Sequence, residues 1–140
     1  MIQLLTAATA TNSPPSGATA GFPLKDKTPG KAPNFRWNHY PSGVVLVKST
    51  AGSGTMTVTL RLWCYSPATA AWHPWGQAAL VANRGVLNQG NAITEDGADN
   101  LTHAEPVTGL GSVTRIYLEI TAIGGTSTAV SAYLLESDGY

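Results

Sequence analysis

Alternating hydrophobic and polar residues dominate the middle and the end of the chain. From Thr55 to Tyr65, in TMTVTLRLWCY, apolar side chains at even-numbered positions alternate with polar or aromatic ones at odd-numbered positions. A period of two residues predicts a half-buried β-strand. Residues 115–123, RIYLEITAI, alternate in the same way, and we expect these side chains to point inward: Ile116, Leu118, Ile120 and Ala122. Because GGTS and a second apolar run follow, residues 115–135 predict a β-hairpin.

A further strand is predicted at residues 43–49, GVVLVKS, which the turn-forming AGSGT follows. Weaker candidate strands lie at residues 2–8, 78–82, 91–94 and 100–104. Short strands separated by Gly, Pro, Asn and Asp are typical of antiparallel sheets that pack in pairs. We therefore expect an all-β fold, an antiparallel β-sandwich of the jelly-roll kind. A chain of 140 residues fits one such domain, residues 1–140.

One stretch near the N-terminus lacks this alternation. Residues 12–42 contain most of the prolines of the chain and are too long for an ordinary connection. They predict an extended arm or a long loop within the domain, and a mobile linker is the alternative. The end of this stretch carries a cluster typical of protein interfaces, Phe35, Arg36, Trp37, His39 and Tyr40.

Three of the four tryptophans lie in RLWCYSPATAAWHPWG, residues 61–76. The turn SPATAA separates Trp63 from Trp72 and Trp75, which predicts a second hairpin with Trp63 and Trp72 paired across it. Trp63 falls on the face of its strand opposite Cys64. We consider three roles for its ring: packing under a second sheet first, contact with another subunit second, and carbohydrate binding third. The last ranks lowest because no carboxylate or amide flanks the rings within this stretch.

Charged residues are scarce, at 11% of the chain against about a quarter in an average protein. Eight basic and eight acidic residues balance, which argues against nucleic-acid binding because such a domain needs a basic surface. By position the charges separate: residues 1–84 carry a net +6 and residues 85–140 a net −6. Either strands of the two halves interleave and neutralise one another, or the molecule docks on its own copies through complementary potentials.

The sequence contains no catalytic motif. A phosphate-binding glycine loop, GxSxG and HExxH are absent, and Cys64 should be inert on the apolar face of its strand. His103 and Glu105 share a face if their stretch is extended, and His39 or His73 would be needed to complete a metal site. Such pairs two residues apart recur by chance. We expect neither enzymatic activity nor a bound metal or cofactor.

Targeting features are also missing from the sequence. No basic residue precedes the short apolar run at the N-terminus, so we expect no signal peptide. No stretch approaches the ~20 apolar residues of a membrane span, so we expect no membrane association. The single cysteine cannot form an intramolecular disulfide, and the fold should not depend on an oxidising compartment.

Several segments resemble small virion structural proteins of tailed bacteriophages. They are the opening IQLLTAATAT, the strand TMTVTLRLW, the hairpin YSPATAAWHPWG and the closing RIYLEITAIGGTSTAVSAYLL. The similarity is most specific at residues 115–135. The chain departs from the commoner pattern where SPATAA replaces a Gly-rich polar turn, and residues 20–42 resemble an insertion. The resemblance implies a β-sandwich that binds the outside of a capsid as an oligomer, with a trimer favoured, and contacts the major capsid protein.

The resemblance and the composition together favour a capsid decoration or cement protein, made in the host cytoplasm and located on the virion surface. The alternative is a receptor- or glycan-binding module of a tail or head fibre. Many copies of such a protein, each with a modest interface, would resist expansion of the capsid shell because all of their contacts must break together. The predicted contact residues are aromatic or cationic: Phe35, Arg36, Trp37, His39, Tyr40, Trp63, Trp72 and Trp75.

Overall fold

Nine β-strands form the framework of the domain. The structure, a computed structural model, describes residues 1–24, 42–50, 53–76, 81–96, 103–126 and 128–137. Within these ranges the strands are β1 (Ile2–Ala8), β2 (Phe22–Pro23), β3 (Ser42–Ser49), β4 (Thr55–Ser66), β5 (Ala71–Pro74), β6 (Ile93–Asp96), β7 (His103–Val107), β8 (Arg115–Gly124) and β9 (Val130–Ser137). Two short 3-10 turns, Val81–Asn83 and Asn88–Gly90, precede β6. In these ranges no helix has the length and apolar character needed to cross a membrane.

The strands form two antiparallel sheets. Sheet A has the order β1-β9-β3-β7, and sheet B has the order β2-β8-β4-β5 with β6 also paired to β4. The chain changes sheet at most of its connections, and only β4, β5 and β6 follow one another within one sheet. The predicted all-β fold of antiparallel sheets, consistent with a β-sandwich, is confirmed.

Strand β4 is the longest strand, with 12 residues, and organises sheet B. One of its edges pairs with β8 from Thr57 to Tyr65. Three segments follow one another along the other edge: β5 pairs with residues 63–66, the Leu62 N–H donates to the Gly85 carbonyl at 2.8 Å, and β6 pairs with residues 55–58. The chain after β4 therefore returns along the whole length of that strand.

The core lies between the sheets and follows the alternation of the sequence. On β4 the even-numbered side chains from Met56 to Leu62 are at most 1% exposed, and β3 adds the fully buried Val45 and Val47. Full burial of such a side chain contributes about 1.5–3 kcal/mol, so the alternation determines which face turns inward. Cys64 ends the same row, and burial raises the pKa of its thiol to about 12, so that it stays protonated and unreactive near neutral pH.

The predicted hairpin of residues 115–135 is wrong. Strand β8 belongs to sheet B and β9 to sheet A, so the chain passes from one sheet to the other between these two strands. The Thr126 hydroxyl fastens this crossing by accepting the Thr55 N–H at 3.1 Å. Alternation shows that both strands are half-buried. Two such strands joined by a Gly-rich turn can pair side by side or face each other across a core, and here they face each other.

A β-bulge in β8 also changes its predicted inward face. The register with β4 shifts between Ile120 and Ala122, which leaves Thr121 as an extra residue. An extra residue reverses the side-chain alternation, because the period of a strand is two. Ala122, predicted to point inward, is therefore exposed, and Ile123 packs against the core instead.

The shorter strands agree with the predictions in part. Strand β1 coincides with residues 2–8, and β6 begins two residues later than predicted. Strand β7, residues 103–107, includes the end of the predicted strand 100–104, whose residues 100–102 lie outside the described ranges. A 3-10 turn, Val81–Asn83, stands where the predicted strand of residues 78–82 ends, and residues 78–80 lie outside the described ranges.

Residues 12–24 do not extend away from the domain as an arm. They lie along β8, where Phe22 pairs with Ile116 and the Leu24 N–H donates to the Thr114 carbonyl at 2.9 Å. Residues 25–41 lie outside the described ranges. Five predicted contact residues fall in that segment: Phe35, Arg36, Trp37, His39 and Tyr40.

Candidate functional site

Aromatic residues from three strands meet on the outer face of sheet B. The register pairs Tyr65 of β4 with Trp72 of β5 and Trp63 of β4 with Tyr117 of β8. The Trp72 ring meets Tyr65 edge-on with 5.3 Å between centroids, and it meets Tyr117 at 6.3 Å. Edge-to-face contacts of this kind contribute about 0.5–1.5 kcal/mol each. We call Tyr65, Trp72 and Tyr117 the aromatic cluster.

The predicted hairpin of residues 61–76 is confirmed, but the pairing of Trp63 with Trp72 is wrong. Strand β4 continues to Ser66 and β5 begins at Ala71, so the turn comprises only residues 67–70. The register differs by two residues from the predicted pairing: Tyr65 lies opposite Trp72, and Trp63 lies opposite Pro74. Tyr65, which the sequence did not single out, takes the place beside Trp72.

A carboxylate from β8 binds Trp63. The indole Nε1 of Trp63 donates to Glu119 Oε1 at 2.9 Å, and Arg61 Nη1 lies 3.9 Å from the same oxygen. The Arg61 guanidinium also lies over the Trp63 ring, 6.0 Å from its centroid. Glu119 is only 7% exposed although it points away from the core. Residues 61–76 contain no carboxylate, but the register between β4 and β8 pairs Arg61 with Glu119 and so places the Glu119 carboxylate beside Trp63.

Residues 9–21, which we call the strap, lie against this face. The Trp72 Nε1 donates to the Gly17 carbonyl at 2.8 Å, and the Tyr117 hydroxyl donates to the Ser13 carbonyl at 2.7 Å. Burial and, to a smaller extent, the charge of Glu119 raise the pKa of Tyr117, which keeps this hydroxyl a donor. A second sheet over the face that bears Trp63, ranked first from the sequence, is wrong: sheet A packs on the opposite face.

Two further side chains hold the strap. Arg115 donates to three successive backbone carbonyls, to Thr19 and Ala20 at 2.8 Å each and to Gly21 at 3.0 Å. Asn12 bonds β8 with both ends of its amide: the Oδ1 accepts the Ile120 N–H at 2.7 Å, and the Nδ2 donates to the Leu118 carbonyl at 3.3 Å. Bonds from a charged donor are roughly twice as strong as neutral ones, so Arg115 is the main anchor of the strap.

Trp75 also packs within the domain. It lies against the hydrophobic core, and its Nε1 donates to the Thr108 carbonyl at 2.9 Å. The indole N–H groups of Trp63, Trp72 and Trp75 therefore all have acceptors inside the protein. A ring must offer a free face to stack on a sugar, but Arg61 lies over Trp63 and two tyrosines contact Trp72. These contacts favour packing for the three rings, and their role as contact residues stays a prediction.

The centre of the outer face of sheet A is apolar. Its central rows place Val44 and Leu46 of β3 beside Leu135 and Tyr133 of β9, with exposed residues of β7 on the other side. Leu135 is 38% exposed, and the other three are half-buried. We call this surface the open face; its six side chains are Val44, Leu46, Ala104, Pro106, Tyr133 and Leu135. A signal for it exists in the sequence, since GVVLVKS is apolar at odd and even positions alike.

A polar pair closes the edge between the sheets. His103 and Glu105 share a face of β7, as predicted, and His103 Nε2 lies 2.7 Å from Glu105 Oε1. The same oxygen accepts the Asn88 N–H at 2.7 Å, which links sheet A to the turn before β6. His73 instead contacts the Thr69 hydroxyl at 2.7 Å. Among the residues that the structure describes, no three His, Cys, Asp or Glu side chains lie together as a metal site requires.

The strands of the two oppositely charged halves interleave. Strand β3 lies between β7 and β9, and β4 lies between β8 and β6, so both have neighbours from the acidic half, as do β1 beside β9 and β2 beside β8; β5 pairs with β4 of its own half. Arg61 beside Glu119 is one neutralised pair. This arrangement favours local neutralisation over a separation of charge between two ends of the molecule.

Comparison with known protein families, with characterised proteins and with solved structures finds no match for this chain.

Proposed function

We propose that this chain is a structural protein of a tailed-bacteriophage virion, a decoration protein that binds the outer surface of the capsid and stabilises the shell. The open face of sheet A is the observation that carries the proposal. Its apolar side chains leave water when a protein partner covers them. Two of them, Tyr133 and Leu135, belong to the segment 115–135 that most resembles virion proteins.

Most strand edges of the sandwich are poorly suited to association. Among the described strands, β2, β5 and β7 lie at sheet edges and contain Pro23, Pro74 and Pro106, which lack the N–H that extends a sheet, while β6, paired with β4 alone, is a four-residue edge without proline. Strand β1 lies at the remaining edge of sheet A, and its register shifts twice against β9. Since the strap lies against the outer face of sheet B, the open face is the apolar sheet surface left for a partner among the residues that the structure describes.

The size of the open face favours a repetitive partner. Its six side chains span three strands about 4.8 Å apart and about three residues of each, at about 3.3 Å per residue, which gives roughly 150 Å² per copy, well below the about 800 Å² per partner of a standard interface. A single contact of this size is weak. An oligomer that docks on repeated subunits gains from avidity, which supports the major capsid protein as partner and a homo-oligomer, with a trimer favoured.

The strand order supports the predicted jelly-roll arrangement. Strands 1, 9, 3 and 7 in one sheet alternate along the chain with strands 2, 8, 4 and 5 in the other. A jelly roll likewise distributes eight strands over two sheets as two Greek keys, and it occurs in viral capsid proteins.

Co-sedimentation with empty shells of the parent phage tests the proposal, after light scattering has given the mass of the protein in solution. Leu135→Glu and Ala104→Glu each place a charge on the open face at an exposed position, so the fold should tolerate them. Thr94→Glu is the matched control, because Thr94 is equally exposed but lies on β6 of sheet B. We expect the wild type and the control to sediment with the shells and both open-face variants to remain in the supernatant.

Other outcomes contradict the proposal in distinguishable ways. If both open-face variants still sediment with the shells, the capsid contact lies outside the open face, and Trp37→Ala is the next variant to test. A folded wild type that never sediments with shells would contradict decoration altogether. Retention on immobilised glycans, abolished by Trp75→Ala, would favour the fibre module instead.

A further inference from the structure

The outer face of sheet B binds the strap through its backbone. Trp72, Tyr117 and Arg115 supply five hydrogen bonds, and every acceptor is a main-chain carbonyl of the strap. Hydrogen bonds to main-chain carbonyls do not depend on which side chains the bound segment carries. Apart from Asn12, whose amide bonds β8, the strap is therefore recognised by its backbone conformation and the spacing of its carbonyls rather than by its side chains.

Two prolines occupy the centre of the bound segment. Pro14 and Pro15 lie between the two carbonyls, Ser13 and Gly17, that Tyr117 and Trp72 bind. Of residues 9–19, only Pro15 is half-buried, and the others are exposed. A proline fixes φ near −65° and biases the residue before it to an extended conformation. Residues 13–16 therefore favour the polyproline II helix, whose backbone carbonyls stay free for external donors, and a turn begins at Gly17, where φ is +75°.

We propose that this surface is a groove for extended, proline-containing peptides, which the strap of the same chain occupies and which a peptide from another chain enters when the strap leaves. Aromatic-lined grooves that hydrogen-bond the backbone of proline-rich segments are a general mode of peptide recognition. The aromatic cluster forms such a lining, and the strap shows the class of ligand that fits.

Attachment at both ends gives the strap an advantage over any free peptide. Strand β1 precedes the strap and β2 follows it, so the strap competes at an effective concentration in the millimolar range or above. A free peptide should therefore bind weakly to the wild type. Binding should improve when the strap is loosened without altering Trp72, Tyr117 or Arg115.

Two substitutions loosen the strap independently. Asn12→Ala removes both bonds between its amide and β8. Gly21→Ala adds a Cβ that clashes with the Ile116 carbonyl oxygen, at a φ of +67° that strains any residue with a side chain. Asn12 is exposed, so its variant should keep the fold even if the glycine variant does not.

The test titrates each variant with a fluorescein-labelled peptide of residues 9–21, TATNSPPSGATAG, and follows fluorescence anisotropy. We expect both variants to bind at least about tenfold more tightly than the wild type, because the internal competitor is loosened. A peptide with alanine in place of both prolines should bind about tenfold more weakly. Adding Tyr117→Phe to the Asn12→Ala variant should weaken binding by a similar factor, since one donor is lost.

Three results would overturn the proposal. One is equal affinity of the wild type and a folded Asn12→Ala variant for the peptide. Another is equal binding of the proline and alanine peptides, and the third is no binding by either variant at millimolar peptide. Far-UV circular dichroism confirms that each variant is folded. Shell binding plays no part in this experiment, so its outcome is independent of the capsid proposal.

Discussion

Arg61 should be one of the most sensitive surface positions of the protein, because several groups depend on its guanidinium. It lies beside the buried Glu119 and over the Trp63 ring, and it donates to the carbonyls of Ala82 and Arg84. Arg61→Met keeps much of the aliphatic stem and removes only the charged head. We expect this change to leave Glu119 in a poorly hydrated place without its cation.

The structure sets the size of the effect. The Arg61 and Glu119 side chains are 23% and 9% exposed. The pair thus lies between exposed pairs, worth about 0–1 kcal/mol, and buried ones, where loss of one partner costs about 3–5 kcal/mol. We take about 1.5 kcal/mol for the unpaired carboxylate. The two bonds to exposed carbonyls add about 0.5–1 kcal/mol each, since water replaces the guanidinium. Arg61→Met should therefore lower the free energy of unfolding by about 3 kcal/mol.

A double-mutant cycle in urea, followed by far-UV circular dichroism, measures the coupling. Glu119→Gln keeps an acceptor for Trp63 and should cost about 1 kcal/mol. The double variant should cost about 2.5 kcal/mol, less than the two single changes together, because no carboxylate is left unpaired. Arg84→Met is the control, since it removes an exposed cation from the neighbouring turn. If the losses of the two single variants sum to the loss of the double variant within about 0.5 kcal/mol, Arg61 is not the partner of Glu119.

Three further predictions concern the core, the sheet edge and a turn. Above pH 9 the free energy of unfolding should fall by up to about 1.4 kcal/mol per pH unit. The reason is that the pKa of Cys64 rises from its ordinary value of 9.0 to about 12 on folding, and urea titrations should show a shallower slope for Cys64→Ala. Glu105→Ala leaves the Asn88 N–H without its acceptor and should cost about 1–2 kcal/mol, with faster amide exchange at Asn88; unchanged exchange would contradict this link. Gly85→Ala should lower the melting temperature by several degrees, since its Cβ would lie 2.7 Å from the Leu62 carbonyl oxygen at a φ of +77°, and an unchanged temperature would show that the turn can shift.

The longer strands were predictable from the sequence, but of their pairings only the hairpin of β4 with β5 was. Alternation from Thr55 to Tyr65 reflects burial of one face, which is a local property and fixes both the strand and its inward side. Pairing depends on which surfaces meet when the chain folds. The Gly-rich turn after β8 is compatible with a hairpin and with a crossing between sheets, and only the second lets β8 and β9 cover opposite sides of the core.

The contacts at the site depend on the register between strands, which the sequence does not reveal. Glu119 and Trp63 are far apart in the chain, and their hydrogen bond exists because β4 pairs with β8 in one register. A shift of one residue would turn these side chains to opposite faces. The extra residue Thr121 has no hydrophobicity signature at all, since TAI alternates acceptably in either phase.

The strap was the largest departure from expectation, for a physical reason. Residues 12–21 carry few apolar side chains, so periodicity predicts no burial and leaves an extended arm or a long loop as the interpretation. Apart from the Asn12 amide, the strap is fixed by its main-chain carbonyls, which every sequence possesses. The side chains that bind it, Arg115 and Tyr117, occupy outward positions of β8, where alternation indicates only exposure to solvent.

The two proposals place different partners on opposite faces of one sandwich. Sheet A carries the open face and sheet B carries the strap, and the sheets of a sandwich pack about 10 Å apart. A copy that docks on a capsid through the open face therefore turns the strap and its groove away from the shell, where a peptide from another chain can reach it. Asn12→Ala protein bound to shells should then keep its affinity for the strap peptide. A loss of peptide binding on the shell would mean that sheet B, not sheet A, faces the capsid.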